Sequence, residues 1–305
     1  MRRVASRLLH VLERVLDAES AVRELRWMQE VLAGPKPSPS TSTTLEDMVA
    51  RRVRGEPLQY ILGTQPFGPL TLLTRAPVLI PRTETEDWAH RLAEMRQPTR
   101  HKPLSVLDLC TGSGCIPLLL CSLWAPGSTH ACGVDISEDA IKLSADNARA
   151  NDIAIPEKGP LPPHEFRLRD RNTFTPLLGN IRDSAFVVAS GLHPPFDIIT
   201  SNPPYIPKRE YDELPVSVKD FEDHRALLGD PDDTVPDGRG LTFYHTIAEL
   251  LNSNKLLKCD GIVALEVGAG QARDVASIME NQGGMRHTRI WNDPWGKERV
   301  VIATN

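Results

Sequence analysis

The chain has 305 residues, 40% of them hydrophobic and 25% charged, with a formal net charge of −5. That length accommodates a catalytic body with a sizeable core plus a smaller appendage, and no apolar run approaches the ~18 residues that a membrane span needs. The acidic balance argues against stable binding of nucleic acid through a basic surface, and five cysteines without a Cys-x-x-Cys pair suggest neither a disulfide framework nor a metal site.

The first residues have the Arg/Ser flavour of a mitochondrial presequence, but Glu13, Asp17 and Glu19 follow at once, and such peptides are poor in acids. The segment therefore reads as the first helix of the folded chain. Val4, Leu8, Leu12 and Val15 recur at helical spacing and predict a small helical bundle. A Pro/Ser/Thr-rich loop, residues 35–44, precedes a second helix beginning near Thr44 with Glu46 and Asp47 in its first turn. From Leu58 to Ile80, β-type residues broken by Gly63, Pro66, Gly68 and Pro69 predict a hairpin joining two domains, residues 1–75 and 76–305. Short apolar strands then alternate with helices: 104–109, 131–136, 166–168, 196–200 and 261–267, with a helix capped by Ser137 and running to Ala150. The pattern is that of a doubly wound α/β sheet. Segments 288–291 and 299–303 flank a short turn and predict a closing antiparallel pair. Pro-rich insertions at 156–163 and 230–238 are expected to be surface loops.

Two stretches carry chemistry. The strand ending at Leu109 runs into Cys110-Thr111-Gly112-Ser113-Gly114 and straight on into an apolar helix. Glycines in such a turn let backbone N–H groups approach a ligand closely. Asp135 ends the next strand, where a carboxylate in this architecture accepts hydrogen bonds from ribose hydroxyls. Neither the dinucleotide Gly-x-Gly-x-x-Gly nor a Walker Gly-Lys-Ser/Thr is present, which disfavours NAD and ATP. The second stretch is Asn202-Pro203-Pro204-Tyr205, directly after a strand. Two prolines remove two donors and leave carbonyl acceptors, Asn202 adds a side-chain carbonyl, and the Tyr205 ring offers a flat stacking face. Together they suit a planar NH2 group, whether an amide or a base.

With Gly55-Glu56-Pro57-Leu58-Gln59-Tyr60-Ile61-Leu62-Gly63, Pro81-Arg82-Thr83-Glu84-Thr85-Glu86, Asp108 to Gly114 and Asn202 to Tyr205, the chain resembles the HemK/PrmC family, the N5-glutamine methyltransferases of peptide-chain release factors. Ala226-Leu227, Gly240-Leu241, Glu266-Val267-Gly268 and Glu298-Arg299-Val300 are later echoes. The resemblance implies a class I S-adenosylmethionine-dependent methyltransferase fold, Rossmann-like with a C-terminal antiparallel strand, behind an amino-terminal helical domain. It implies that the amino-terminal helices, residues 1–75 with the linking hairpin, bind the protein substrate. It implies S-adenosylmethionine as cofactor, with Cys110 to Gly114 at its methionine end, Asp135 at the ribose, and Asp170 with Arg171 near the adenine. Arg82, Glu86 and Asn202 are expected to contribute to the same site, and Asn202 to Tyr205 to hold the substrate. Thr83 stands where the family usually has proline, and Cys110 where glycine is common. The implied substrate is the glutamine of the Gly-Gly-Gln loop of a class I release factor. An amino-terminal domain resembles the bacterial and organellar branch, and the Pro-rich insertions suggest a eukaryotic source, so mitochondria are the expected compartment, with the cytoplasm as the alternative. The four-residue motif is shared with enzymes methylating adenine, so an N6-adenine nucleic-acid methyltransferase is the alternative; it would need a basic groove.

Overall fold

A computed structural model describes residues 2–34, 43–183, 185–231 and 238–305. Most of the Pro/Ser/Thr-rich loop and the middle of the second insertion lie outside the described residues.

Four helices open the chain: α1 (Arg2–Leu12), α2 (Ala18–Ala33), α3 (Leu45–Val53) and α4 (Leu58–Leu62). Local chemistry sets their ends. Asp17 caps α2 by accepting from the Ser20 N–H, and Thr44 and Asp47 form a reciprocal capping box on α3. Helix α4 lies where the sequence predicts β-structure. Pro57 sits at its N-cap and Gly63, at φ 80, supplies the left-handed C-cap, and these two ends hold one short turn of helix whose buried face carries Leu58, Tyr60 and Ile61. Leu8, Leu12, Ala21, Leu25, Met28, Met48, Val49, Leu58 and Ile61 form a core of their own.

The expected hairpin follows as β1 (Thr64–Phe67) and β2 (Leu70–Leu73). Its Phe67, Leu70 and Leu72 are buried with Trp88, Leu92, Val106 and Leu118 of the following body. By packing, the hairpin goes with that body rather than with the helices.

The body alternates α5 (Thr83–Glu94), β3 (Leu104–Leu109), α6 (Cys115–Leu123), β4 (Thr129–Asp135), α7 (Glu138–Ala150), β5 (Thr173–Leu178) and β6 (Phe196–Ser201), and ends with β7 (Leu257–Glu266), β8 (His287–Asn292) and β9 (Glu298–Thr304). The sheet order is β5-β4-β3-β6-β7-β9-β8, parallel from β5 to β7 and antiparallel where β9 inserts between β7 and β8. Side chains alternate between two cores, as strand geometry demands. Leu107, Leu109, Ile199, Val263 and Leu265 meet helices Thr242–Asn254 and Ala272–Asn281 on one face. Val106, Ile198, Ile262 and Ala264 meet α5, α6 and the hairpin on the other. The strand expected at 166–168 is instead part of a 3-10 helix, Pro163–Leu168, and the strand of that region is β5.

Candidate active site

The order of the sheet puts β3 between β4 and β6, so the chain leaves β3 toward both sides and opens a crevice at the carboxyl ends of these strands. The turn from β3 into α6 is built to line that crevice. Cys110, Gly112 and Gly114 take φ of 58, 54 and 79, a left-handed conformation natural to glycine and strained for cysteine. The Thr111 N–H donates to the Val134 carbonyl at 2.9 Å and its hydroxyl to Asp108 Oδ2 at 2.6 Å. Thr200 Oγ1 donates to the other oxygen of Asp108 at 2.6 Å, so this wholly buried carboxyl stitches β3, the turn and β6 together. Burial raises its pKa to about 7, against the two hydroxyl hydrogen bonds.

Asp135 at the end of β4 accepts from the Gly112 N–H at 2.8 Å and the Ser137 N–H at 2.9 Å. Burial shifts its pKa upward, and these two donors oppose the shift. Each oxygen retains acceptor capacity. A cavity of about 240 Å³ opens beside it, lined by Cys110, Gly112, Asp135, Asn202 and Pro204 and walled by apolar Val78, Leu79, Ile136, Ala140 and Ile181. The set fits S-adenosylmethionine: a carboxylate for a ribose diol, an apolar slot for a flat base, and a Cβ-free backbone at Gly112, where an added Cβ would meet nothing within 4 Å. Burial, with the nearby Asp135 and Asp108 charges, pushes the Cys110 thiol far above the ordinary range, which disfavours the thiolate that a nucleophile would need.

Asn202 to Tyr205 leave the end of β6. Pro203 and Pro204 are buried, while Asn202 and Tyr205 are partly exposed. Three other loops clamp this segment. Gln271 Nε2 donates to the Tyr205 carbonyl at 2.8 Å and to the Arg239 carbonyl at 2.7 Å, while its Oε1 accepts from the Gly268 N–H at 2.8 Å. Gly240 lies so close that an added Cβ would sit 2.1 Å from the Tyr205 oxygen, and Asp230 fixes Gly240 through its N–H at 2.5 Å. Ile206 is bonded to Leu227 and Gly229 on either side of Leu228, at 2.9 and 3.0 Å. The later echoes in the sequence, around Ala226, Gly240 and Glu266, are thus the braces of the Asn202 segment. Burial raises the Tyr205 hydroxyl well above its ordinary pKa, and Glu266 adds to the shift.

The cavity brings together Cys110, Gly112, Asp135, Asn202 and Pro204; Thr111, Ser113 and Gly114 shape the turn behind it, and Pro203 and Tyr205 flank it without lining it. Arg82 lies elsewhere. It pairs with buried Glu222 at 2.6 and 2.9 Å and faces a second cleft, shared with Arg23, Trp27 and Arg52 of the helical part. Glu86 lies one turn along α5 and is not among the residues lining the cavity. Asp170 and Arg171 are exposed and precede β5, at the amino ends of the strands, where Arg171 donates to the Asp152 carbonyl. They do not reach the cavity. The residues that follow β5, Gly179, Asn180 and Ile181, line it instead; the sequence pattern hides them because its apolar residues place the strand too early. Thr85, Asp230, Glu266 and Gln271 are further site residues to which sequence patterning assigns no role. For Thr85 and Glu266 the available signal is their place inside family-like stretches.

Comparison with known proteins agrees with this architecture. The PrmC N-terminal domain family matches residues 25–63. A release factor glutamine methyltransferase of Thermodesulfovibrio yellowstonii is 31% identical over 285 residues, 92% of this chain and 88% of that protein. The Rhodospirillum rubrum protein of the same name is 35% identical, over 87% of this chain and 70% of its own length. The chain belongs to the release factor glutamine methyltransferase family. A Schizosaccharomyces pombe protein named "Probable MRF1 mitochondrial N(5)-glutamine methyltransferase" is 30% identical across 97% of this chain and 92% of its own. Among solved structures, the human Mettl16 catalytic domain bound to an RNA hairpin superposes with a TM-score of 0.53 at 16% identity, over 85% of this chain and 80% of that one. At that identity the likeness is one of fold, the class I methyltransferase sheet.

Proposed function

We propose that the enzyme transfers the methyl group of S-adenosylmethionine to the side-chain amide nitrogen, N5, of the glutamine in the Gly-Gly-Gln loop of a class I release factor, and that it does so in mitochondria. The observation that carries the reading is the meeting of Asn202 with Asp135 and Gly112 in one cavity at the carboxyl ends of β3, β4 and β6.

When bound, S-adenosylmethionine supplies an electrophilic methyl group on a sulfonium. The protein's task is on the nitrogen side. A carboxamide nitrogen is a weak nucleophile because its lone pair is delocalised, so it must be oriented and polarised. Asn202 Oδ1 and the carbonyls of the Pro203-Pro204 segment accept from its two N–H bonds. Those hydrogen bonds strengthen as positive charge grows on nitrogen, which stabilises the transition state more than the ground state. Rigid clamping of the segment by Gln271, Gly240 and Asp230 removes the entropy cost of orientation. The methylated nitrogen would be strongly acidic and would release its proton to water, so no side-chain base is required.

The test is mass spectrometry of a release-factor domain incubated with the enzyme and S-adenosylmethionine. One methyl on the glutamine is expected, with Asn202→Ala lowering kcat at least ~10²-fold while leaving cofactor affinity within a factor of a few. An unmodified glutamine, or full activity in Asn202→Ala, would overturn the chemistry. The mitochondrial placement rests on the amino-terminal helices and on the fission-yeast relative's name. A carboxyl-terminal fluorescent tag checks it, and a purely cytosolic signal would remove the compartment without touching the chemistry.

A further inference from the structure

A primary amide can sit in its slot two ways round, and only one presents Oδ1 as an acceptor to the substrate. We infer that Thr85 and Glu266 are positioning residues that fix which way round the Asn202 carboxamide sits. The inference deepens the function proposed above and rests on it.

Thr85 and Glu266 are each 1% exposed. Thr85 Oγ1 lies 2.6 Å from Glu266 Oε2, and the same oxygen accepts from Trp88 Nε1 at 2.8 Å. Tyr244 Oη donates to the Glu266 backbone carbonyl at 2.8 Å, so the residue is held at both ends. A carboxylate oxygen only accepts, and a hydroxyl has one proton to give. The Thr85 proton is therefore committed to Glu266. What Thr85 turns toward Asn202 is a lone pair, and the atom facing it is Asn202 Nδ2 at 3.5 Å, a donor. Flipping the amide would set Oδ1 against that lone pair with no proton between them. The relay runs one way, from Asn202 N–H to Thr85 O–H to Glu266, and leaves Oδ1 free for the cavity. Burial raises the Glu266 pKa, opposed by its bonds from Thr85 and Trp88, yet the direction of the relay survives a proton on Oε1, because Oε2 still accepts from both. The 3.5 Å separation is long for a hydrogen bond, and such contacts shorten when a site fills.

Thr85→Val keeps shape and removes the hydroxyl. Its kcat on the Gly-Gly-Gln domain is expected to fall about 10- to 100-fold, with KM and the dissociation constant of S-adenosylhomocysteine each within threefold of wild type. Thr85→Ser, which restores the hydroxyl, is expected to recover most of the loss. Glu266→Gln, which keeps an acceptor facing Thr85 and Trp88, should lose less than Thr85→Val. If Thr85→Val melts too low to assay, Thr85→Ala takes its place with the same split. A readout independent of turnover is the side-chain amide signal of Asn202 in 15N-asparagine-labelled enzyme, identified by its loss in Asn202→Ala. Its two protons should exchange faster with water in Thr85→Val than in wild type or Thr85→Ser. Wild-type kcat and unaltered amide exchange in Thr85→Val would overturn the relay alone, whereas a wild-type enzyme that leaves the glutamine unmodified would overturn the function on which it rests.

Discussion

Asp108 is a carboxyl that the fold keeps away from water to tie three segments together, and that has a cost which varies with pH. Its folded pKa is raised from 3.8 to about 7 by burial. Between these values the folded protein binds the proton more tightly than the unfolded chain. Stability contributed at this site is therefore present at low pH, declines as pH rises from about 4 to about 7, and is flat above that, with a slope of at most ~1.4 kcal/mol per pH unit. Asp108→Asn keeps hydrogen-bonding capacity toward Thr111 and Thr200 and removes the charge. Its melting temperature should gain on that of the wild type as pH is raised from 5 to 7.5; a difference that stays constant with pH would show that Asp108 does not titrate there. At this scale the sequence announces residues whose type and neighbours declare their work: Asp135 after a strand, Gly112 in a tight turn, Asn202 before two prolines. It does not announce Thr85, Gln271 or Asp230, because a threonine, a glutamine and an aspartate become braces only through partners 181, 66 and 10 positions away. Arg82 departs from its expected place for the same reason. Its partner Glu222 is 140 residues distant and draws it to the cleft between the helices and the body.

Helix α5 carries Thr85 to Asn202, so its start matters to the site. Arg82 is its N-cap at φ −98, ψ 149, without a side-chain capping bond, and exposed Thr83 is its first residue. The first helical position suits proline, whose φ is preset and whose missing N–H is not needed there, and the extended Arg82 backbone is the one a following proline requires. Thr83→Pro is expected to stabilise the enzyme by roughly 0.5–1 kcal/mol, about 1–3 °C in melting temperature, with kcat unchanged within twofold. A lower melting temperature would mean that the Thr83 N–H has a partner of its own. Strands rich in apolar residues, such as β3 and β6, are legible in the sequence alone, as is the antiparallel pair β8–β9. Strand β5 is not. Thr173-Phe174-Thr175-Pro176-Leu177-Leu178 contains a proline, which argues against a strand interior, but β5 is the edge of the sheet and an edge tolerates the lost donor. The apolar Phe166 that suggests a strand nearby stacks on His130 from a 3-10 turn, with ring centroids 4.2 Å apart.

Across the whole molecule, the helical part and the cofactor cavity share a strap, residues 76–80. Val78 and Leu79 form one wall of the cavity, with Val78 packed on Ala140 and Leu143 of α7. From one side Tyr60 Oη of the helical part donates to the Val78 carbonyl at 2.7 Å; from the other the Asp223 N–H donates to the Pro77 carbonyl at 2.7 Å. Asp223 belongs to the loop whose His224, Arg225 and Ala226 close the cavity opposite. The cavity wall proposed to meet the cofactor is thus gripped at once by the amino-terminal helices and by the loop that faces it, and residues that touch no ligand should still be felt there. Tyr60→Phe leaves a buried carbonyl without its donor, a loss of about 1–2 kcal/mol. Some of that loss should appear as weaker binding of S-adenosylhomocysteine, roughly 3- to 10-fold in dissociation constant by titration calorimetry. A lower melting temperature with unchanged affinity would instead mean that the Asp223 bond alone holds the wall, without help from the helices.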